Sequence, residues 1–153
     1  MRYEEVIRDF AERTSKNLSM IEQLQTEGRE AYEVTQLVNS MLGLLVFPQQ
    51  NYINQIPETP LDDLKRDGWP VPNCQRGPDE VRNLNQLIRY LRNAIAHFNI
   101  EFIDDGQNQL RLLKVWNENR DGVKTWEAEL SVSDLRGIAE RFIGLILSKE
   151  RAT

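Results

Sequence analysis

From Tyr3 to about Phe47 apolar residues recur at helical spacing with no proline among them. Val6, Phe10, Ile21 and Leu24 mark a first helix over about 3–25, which Gly28 stops. The pattern resumes over about 30–47 with Val34, Leu37, Val38, Met41, Leu42 and Leu45, and Pro48 ends this second helix. All six prolines fall between residues 48 and 78, which predicts a long proline-rich loop, with a helical turn at 61–65 and Trp69 pinning it to the body. A third helix is expected over 79–97, opened by the acidic pair Asp79 and Glu80. Then the period changes. The segments 100–104, 110–116 and 124–130 are short, rich in β-formers and separated by Asp105-Gly106 and Asp121-Gly122, so they predict a small antiparallel meander over about 100–130. Ser131-Val-Ser-Asp134 has capping-box spacing and opens a last helix over 132–148, with Leu135, Ile138, Ala139, Phe142 and Ile146 inward. The whole reads as one mainly α domain over 1–153, with the β-meander inserted before the last helix.

Composition narrows the class. The chain has 153 residues, a length suited to one domain, with 40% hydrophobic and 28% charged residues, an ordinary globular balance. The longest apolar run, Met41 to Phe47, is core length, so no membrane association is expected. The start, Met1-Arg-Tyr-Glu-Glu, lacks the apolar stretch of a signal peptide, and one cysteine, Cys74, allows neither an intrachain disulfide nor a thiolate zinc cage. A cytoplasmic, reducing setting is the expectation. The net charge of −5 argues against a coating role on nucleic acid, though it leaves room for an enzyme with a local basic patch. Histidine is the tightest constraint: the chain has one, His97.

The third helix carries the candidate chemistry. With Leu84 set at 0° and ~100° per residue, Leu87, Ile88, Leu91 and Ile95 fall within about 60° of it and form one apolar stripe. Arg92 then lies near 80°, Ala96 near 120°, Arg89 near 140°, Asn93 near 180° and His97 near 220°, all at ~100° per residue. Between Arg82 and His97 there are three arginines and no acid. An arginine offers a planar fork of donors to phosphate oxygens and to charge developing on them, and a histidine suits proton transfer near neutrality. Arg92 and His97 are therefore the candidate catalytic pair, and Arg89 is a further candidate for holding phosphate or RNA. Asn93, one turn before His97, is placed to orient the imidazole or hold a 2′-hydroxyl. Small Ala96 leaves room for close approach by a nucleotide or by a second copy of the helix. Cleaving RNA without a metal takes both a base and an acid. One histidine per chain then points to a two-fold homodimer that presents two Arg92 and two His97 around one cleft. A polar outer face on a helix is ordinarily just solvated, and on the residues alone both readings stand.

The hexapeptide Arg92-Asn-Ala-Ile-Ala-His97, following an apolar helix, resembles the signature of the HEPN superfamily, an Arg, often followed by Asn, with a His a few positions on. The order of an early helix pair, a motif at the end of the third main helix and a closing helix is also similar, and the Tyr32–Leu45 helix followed by Phe47-Pro48 resembles a plasmid-borne branch. The resemblance implies an up-and-down helical bundle. It also implies a homodimeric, metal-independent endoribonuclease of the kind found in toxin–antitoxin and phage-defence systems, with Arg92 and His97 catalytic and Asn93 supporting them. Its expected partners are RNA and a neighbouring antitoxin or regulatory protein. Some members of that superfamily are catalytically silent dimerisation or binding modules, and this is the alternative. The long proline loop and the β-meander depart from the pattern.

Other positions carry less. Glu33 and Asn39, in the otherwise apolar second helix, are weak candidates for supporting a cleft. Asp62-Asp63 and Asp104-Asp105 read as solvated loop caps, so no metal site is expected. Trp69, Trp116 and Trp126 read as core anchors in preference to base-stacking platforms, and Cys74 as structural or incidental. The glycines are scattered and form no phosphate-cradling loop, so no cofactor is expected.

Overall fold

The computed structural model describes residues 3–46, 53–104, 106 and 110–148. Phe47, Pro48 and Asp105 lie outside them. The element order is α1 (Tyr3–Thr26), α2 (Glu33–Val46), α3 (Leu61–Arg66), β1 (Asn73–Arg76), a 3₁₀ turn (Pro78–Glu80), α4 (Leu84–Ala96), β2 (Ile100–Asp104), β3 (Leu110–Glu118), β4 (Lys124–Ser131) and α5 (Val132–Ser148). The helices α1, α2, α4 and α5 pack on one another, and the sheet joins them through β3 against α4 and through β3 and β4 against α5.

The sheet overturns the expectation of a helical bundle with a small inserted meander. It has four antiparallel strands in the order β1-β4-β3-β2, and its first strand comes out of the proline-rich segment. The arrangement is a helical layer against a sheet, and the sheet forms part of the core: Leu113, Val115, Trp126, Ala128 and Leu130 are all buried in the same cluster as the helices. β1 escapes a pattern reading for a physical reason. All four of its residues are exposed, so no apolar alternation marks it, and the strand exists by main-chain pairing to β4 (Asn73 opposite Glu129, Cys74 opposite Ala128). Gly77 follows at φ 62°, where a Cβ would sit 2.1 Å from the Thr125 carbonyl oxygen of β4. Only glycine fits that turn off the sheet edge.

The helix termini follow local chemistry. The third helix expected over 79–97 instead runs Leu84–Ala96, because Asn83 caps it by accepting a hydrogen bond from the Gln86 amide at 2.9 Å and the acidic pair falls in the 3₁₀ turn before it. Before α5, the Ser131 amide donates to Asp134 Oδ2 and the Asp134 amide donates to Ser131 Oγ, each at 3.0 Å. That reciprocal pair is a capping box. On α4 the stripe Leu84, Leu87, Ile88, Leu91 and Ile95 is buried throughout. On α1 the buried face is Ile7, Ala11, Thr14 and Leu18, whereas Val6 and Phe10 stay partly exposed. Phe10 nonetheless meets α2: a Cβ at Gly43 would lie 2.1 Å from Phe10 Cζ, so the ring sits over a glycine at the edge of the core.

Candidate active site

Helix α4 ends in a tight reversal that sets the geometry of the site. His97 is the C-cap, with φ −94° and ψ 2°. The next residue, Phe98, adopts a left-handed conformation (φ 57°), the one non-glycine residue to do so among the described residues. The Asn99 amide donates to the Ala94 carbonyl at 2.8 Å and the Phe98 amide to the Ile95 carbonyl at 3.1 Å, the two bonds of a Schellman motif. Glycine is the usual occupant of that position. Here the buried anchors Ile95 and Ile100 on either side hold the turn, and Phe98 stands 71% exposed.

The reversal opens a cleft of about 460 Å³ between the end of α4 and the end of β3, lined by Asn93, His97, Asn99, Asn117, Glu118 and Asn119. Its two sides are cross-tied. The Trp116 amide donates to the Asn99 carbonyl at 3.2 Å, and Asn117 Nδ2 donates to the Tyr90 carbonyl of α4 at 2.8 Å. Asn119 holds the following turn, its Oδ1 accepting from the amides of Asp121 and Val123. Glu118 Oε1 accepts from the indole Nε1 of Trp116 at 2.8 Å, which orients the carboxylate. The cleft thus offers neutral amide groups, which both donate and accept, around one imidazole and one carboxylate. Such a lining suits the sugar and base edges of a nucleotide and proton transfer beside them.

The sequence-derived candidates are distributed unevenly. Asn93 and His97, one turn apart, share the cleft. Ala96 is exposed beside them. Arg92 does not line the cleft: it is half-buried, with its Nε fully buried, on the flank of α4 toward the core stripe. Arg89 Nε donates to Asn85 Oδ1 at 2.8 Å, and its guanidinium also bonds Asn54. Buried Asn85 in turn donates to the carbonyls of Ile53 and Ile56, so Arg89 sits in a network fastening the 53–56 segment to α4. Glu33, in the first turn of α2, accepts from Arg136 at 2.8 Å, and Arg136 also bonds Glu22 and Glu140, joining α1, α2 and α5. Asn39 is exposed on α2. Neither Glu33 nor Asn39 lines the cleft.

Asp63 pairs with Arg66, and among the described residues no group of three or more His, Cys, Asp or Glu side chains is placed to hold a metal ion. No helix of the described residues is long and apolar enough to cross a membrane. Trp126 is buried and meets the Tyr90 ring edge-on at 5.5 Å, whereas Trp69 and Trp116 are half-buried under Arg141 and Lys124. Cys74 is exposed on the edge strand β1.

Sequence reasoning missed Asn99, Asn117, Glu118 and Asn119. The run Asn117-Glu-Asn119 precedes a turn and carries the composition of one, so the only available signal was a cluster of hydrogen-bonding residues with nothing tying it to His97.

Compared with models of protein families, the chain matches the model described as HEPN pEK499 p136 over residues 1–153. No curated protein and no solved structure matches it.

Proposed function

The chain belongs to the HEPN superfamily, in a plasmid-associated branch, and is in broad terms a nuclease or nucleotide-binding module; on that premise we propose that it is a metal-independent endoribonuclease. The observation that carries the reading is His97, exposed in an open amide-lined cleft with Asn93 one turn before it. In this reading His97 moves a proton during strand cleavage, and Asn93 holds the 2′-hydroxyl or orients the imidazole. Arg92 supplies the cation that meets the scissile phosphate and the charge developing on it. The internal 2′-hydroxyl is the nucleophile, so the products carry 2′,3′-cyclic phosphate and 5′-hydroxyl ends. The exposed end of α4 is the surface through which two copies pair about a two-fold axis, bringing two Arg92 and two His97 to one RNA strand. A toxin or phage-defence role, restrained by a neighbouring antitoxin, follows from such an activity.

One observation favours a second reading. Arg92 stands outside the cleft, as a silent binding or dimerisation module would allow. Incubating cellular RNA with the protein and with its His97→Ala variant, each with and without EDTA, tests both. The ribonuclease reading expects cleavage that survives EDTA and vanishes in the variant. Loss on chelation that Mg²⁺ restores would overturn metal independence, and equal behaviour of the two proteins would favour the silent module. Sedimentation at tens of micromolar should show a dimer, and a monomer there would overturn the paired assembly.

A further inference from the structure

A single histidine cannot serve at once as the base that takes the 2′-hydroxyl proton and the acid that gives one to the leaving oxygen. A second histidine from another copy is one answer. The cleft contains another. Glu118, at the end of β3, lines the same cavity of about 460 Å³ as His97 and is the carboxylate among its lining residues. Its neighbours there are asparagines, which carry no charge, so His97 and Glu118 are the two proton carriers among the lining residues. Glu118 is also held. Its Oε1 accepts from Trp116 Nε1 at 2.8 Å, and Lys124 Nζ lies 4.2 Å from the Trp116 ring centroid and donates to Glu127 Oε2 at 2.6 Å, so the indole that holds Glu118 is itself held. The strand end bearing Glu118 is tied to α4 by Asn117 and by the Trp116–Asn99 bond, so its position relative to His97 is set by backbone contacts.

We propose that Glu118 is a catalytic residue that pairs with His97 of the same chain, so that each protomer carries a complete base–acid set for RNA transesterification. The inference rests on the ribonuclease reading and deepens it. The Glu118 carboxylate takes the proton of the 2′-hydroxyl as its oxygen bonds to phosphorus. The bond from phosphorus to the 5′-oxygen breaks, and protonated His97 gives its proton to that oxygen. The products are a 2′,3′-cyclic phosphate and a 5′-hydroxyl. Glu118 then loses its proton to solvent and His97 regains one, so protons balance with no other reactant. Pairing of two copies then brings two such sets to one RNA strand.

The test uses the full chain and a pool of random-sequence single-stranded RNA, reading the rate of cyclic-phosphate formation against pH. Glu118→Gln preserves the acceptor for Trp116 Nε1 and so preserves the fold, which intrinsic tryptophan fluorescence checks. The wild type is expected to show a bell-shaped profile. Glu118→Gln should lower the rate ~10²–10⁴-fold and abolish the acidic limb while leaving the basic limb, as expected of a lost general base. Glu118→Asp should recover at least about tenfold over Glu118→Gln, since it restores a carboxylate. Coexpressed His97→Ala and Glu118→Gln chains should stay inactive together, because neither chain holds both groups. A Glu118→Gln rate within about threefold of wild type with an unchanged acidic limb, or restored activity in the mixed pair, would overturn the assignment and leave the ribonuclease reading intact. A wild type that cleaves no RNA would overturn both.

Discussion

Asn117 reaches from β3 into the backbone of α4, its side-chain nitrogen donating to the Tyr90 carbonyl at 2.8 Å. This bond ties the strand end that carries Glu118 to the helix that carries His97, two turns before the imidazole. The carbonyl lies within the helical hydrogen-bond ladder, so it accepts from Asn117 in addition to its helical partner. Replacing Asn117 with alanine should therefore cost only ~0.5–1.5 kcal/mol of stability, the net worth of one such bond. It should cost far more activity than that, since the two sides of the cleft lose their register. Denaturant unfolding beside an RNA-cleavage rate separates the two effects, and a variant that loses stability without losing rate would show that the tie is structural alone.

His97 and Leu91 should respond oppositely. His97 is exposed, so His97→Ala is expected to change stability by no more than ~0.5 kcal/mol. Leu91 is 1% exposed on the core stripe, and Leu91→Ala should cost ~2–5 kcal/mol. Activity should fall with His97→Ala by ~10²–10⁴-fold. Thermal melts of both variants check this, and a His97→Ala protein as unstable as Leu91→Ala would make the histidine a structural residue.

Phe98 is expected to be replaceable at a gain. Its φ of 57° lies in the left-handed region, where a side chain costs roughly 1–2 kcal/mol and glycine costs little. The ring is largely exposed, so it gives little packing in return. Phe98→Gly should raise stability by up to ~1 kcal/mol after the glycine's own entropy loss, and Phe98→Val should lower it. Denaturant midpoints of the two variants carry the comparison; a glycine variant less stable than the parent would mean that the ring packs.

Tyr90 makes stability depend on pH in the alkaline range. Burial first, and then the hydrogen bond to Glu80 (2.6 Å) with its negative charge, push the phenol up to about 12 from its ordinary value of 10.0. The unfolded chain then releases this proton before the folded chain does. The contribution is present in full below the unfolded value and is lost as pH rises toward the folded one. The stability advantage of the wild type over Tyr90→Phe should accordingly shrink between about pH 10 and about pH 12. Denaturation of both proteins across that window measures it, and a constant difference would show that neither burial nor Glu80 raises the phenol in the folded chain.

What the sequence determined by itself was short-range. The stripe from Leu84 to Ile95 is buried as its ~100° period requires, because a helix places residues three and four apart on one face whatever surrounds it. The capping box at Ser131 and Asp134 and the Arg92–His97 motif were legible for the same reason: each lies within one or two helical turns. Tertiary structure decided the rest. β1 carries no apolar alternation and is a strand only because β4 is there to pair with it, which turned an expected helical bundle into helices packed on a four-stranded sheet. Arg92 and His97 belong to one motif, yet five residues of helix separate their directions by roughly 140°, so only one of them faces the cleft. Glu118 faces it because the β2–β3 register, Ile100 opposite Val115, carries the far end of β3 back to the end of α4. That register is a long-range pairing, selected by which faces of several strands and helices can be buried together, and no local run of residues encodes it.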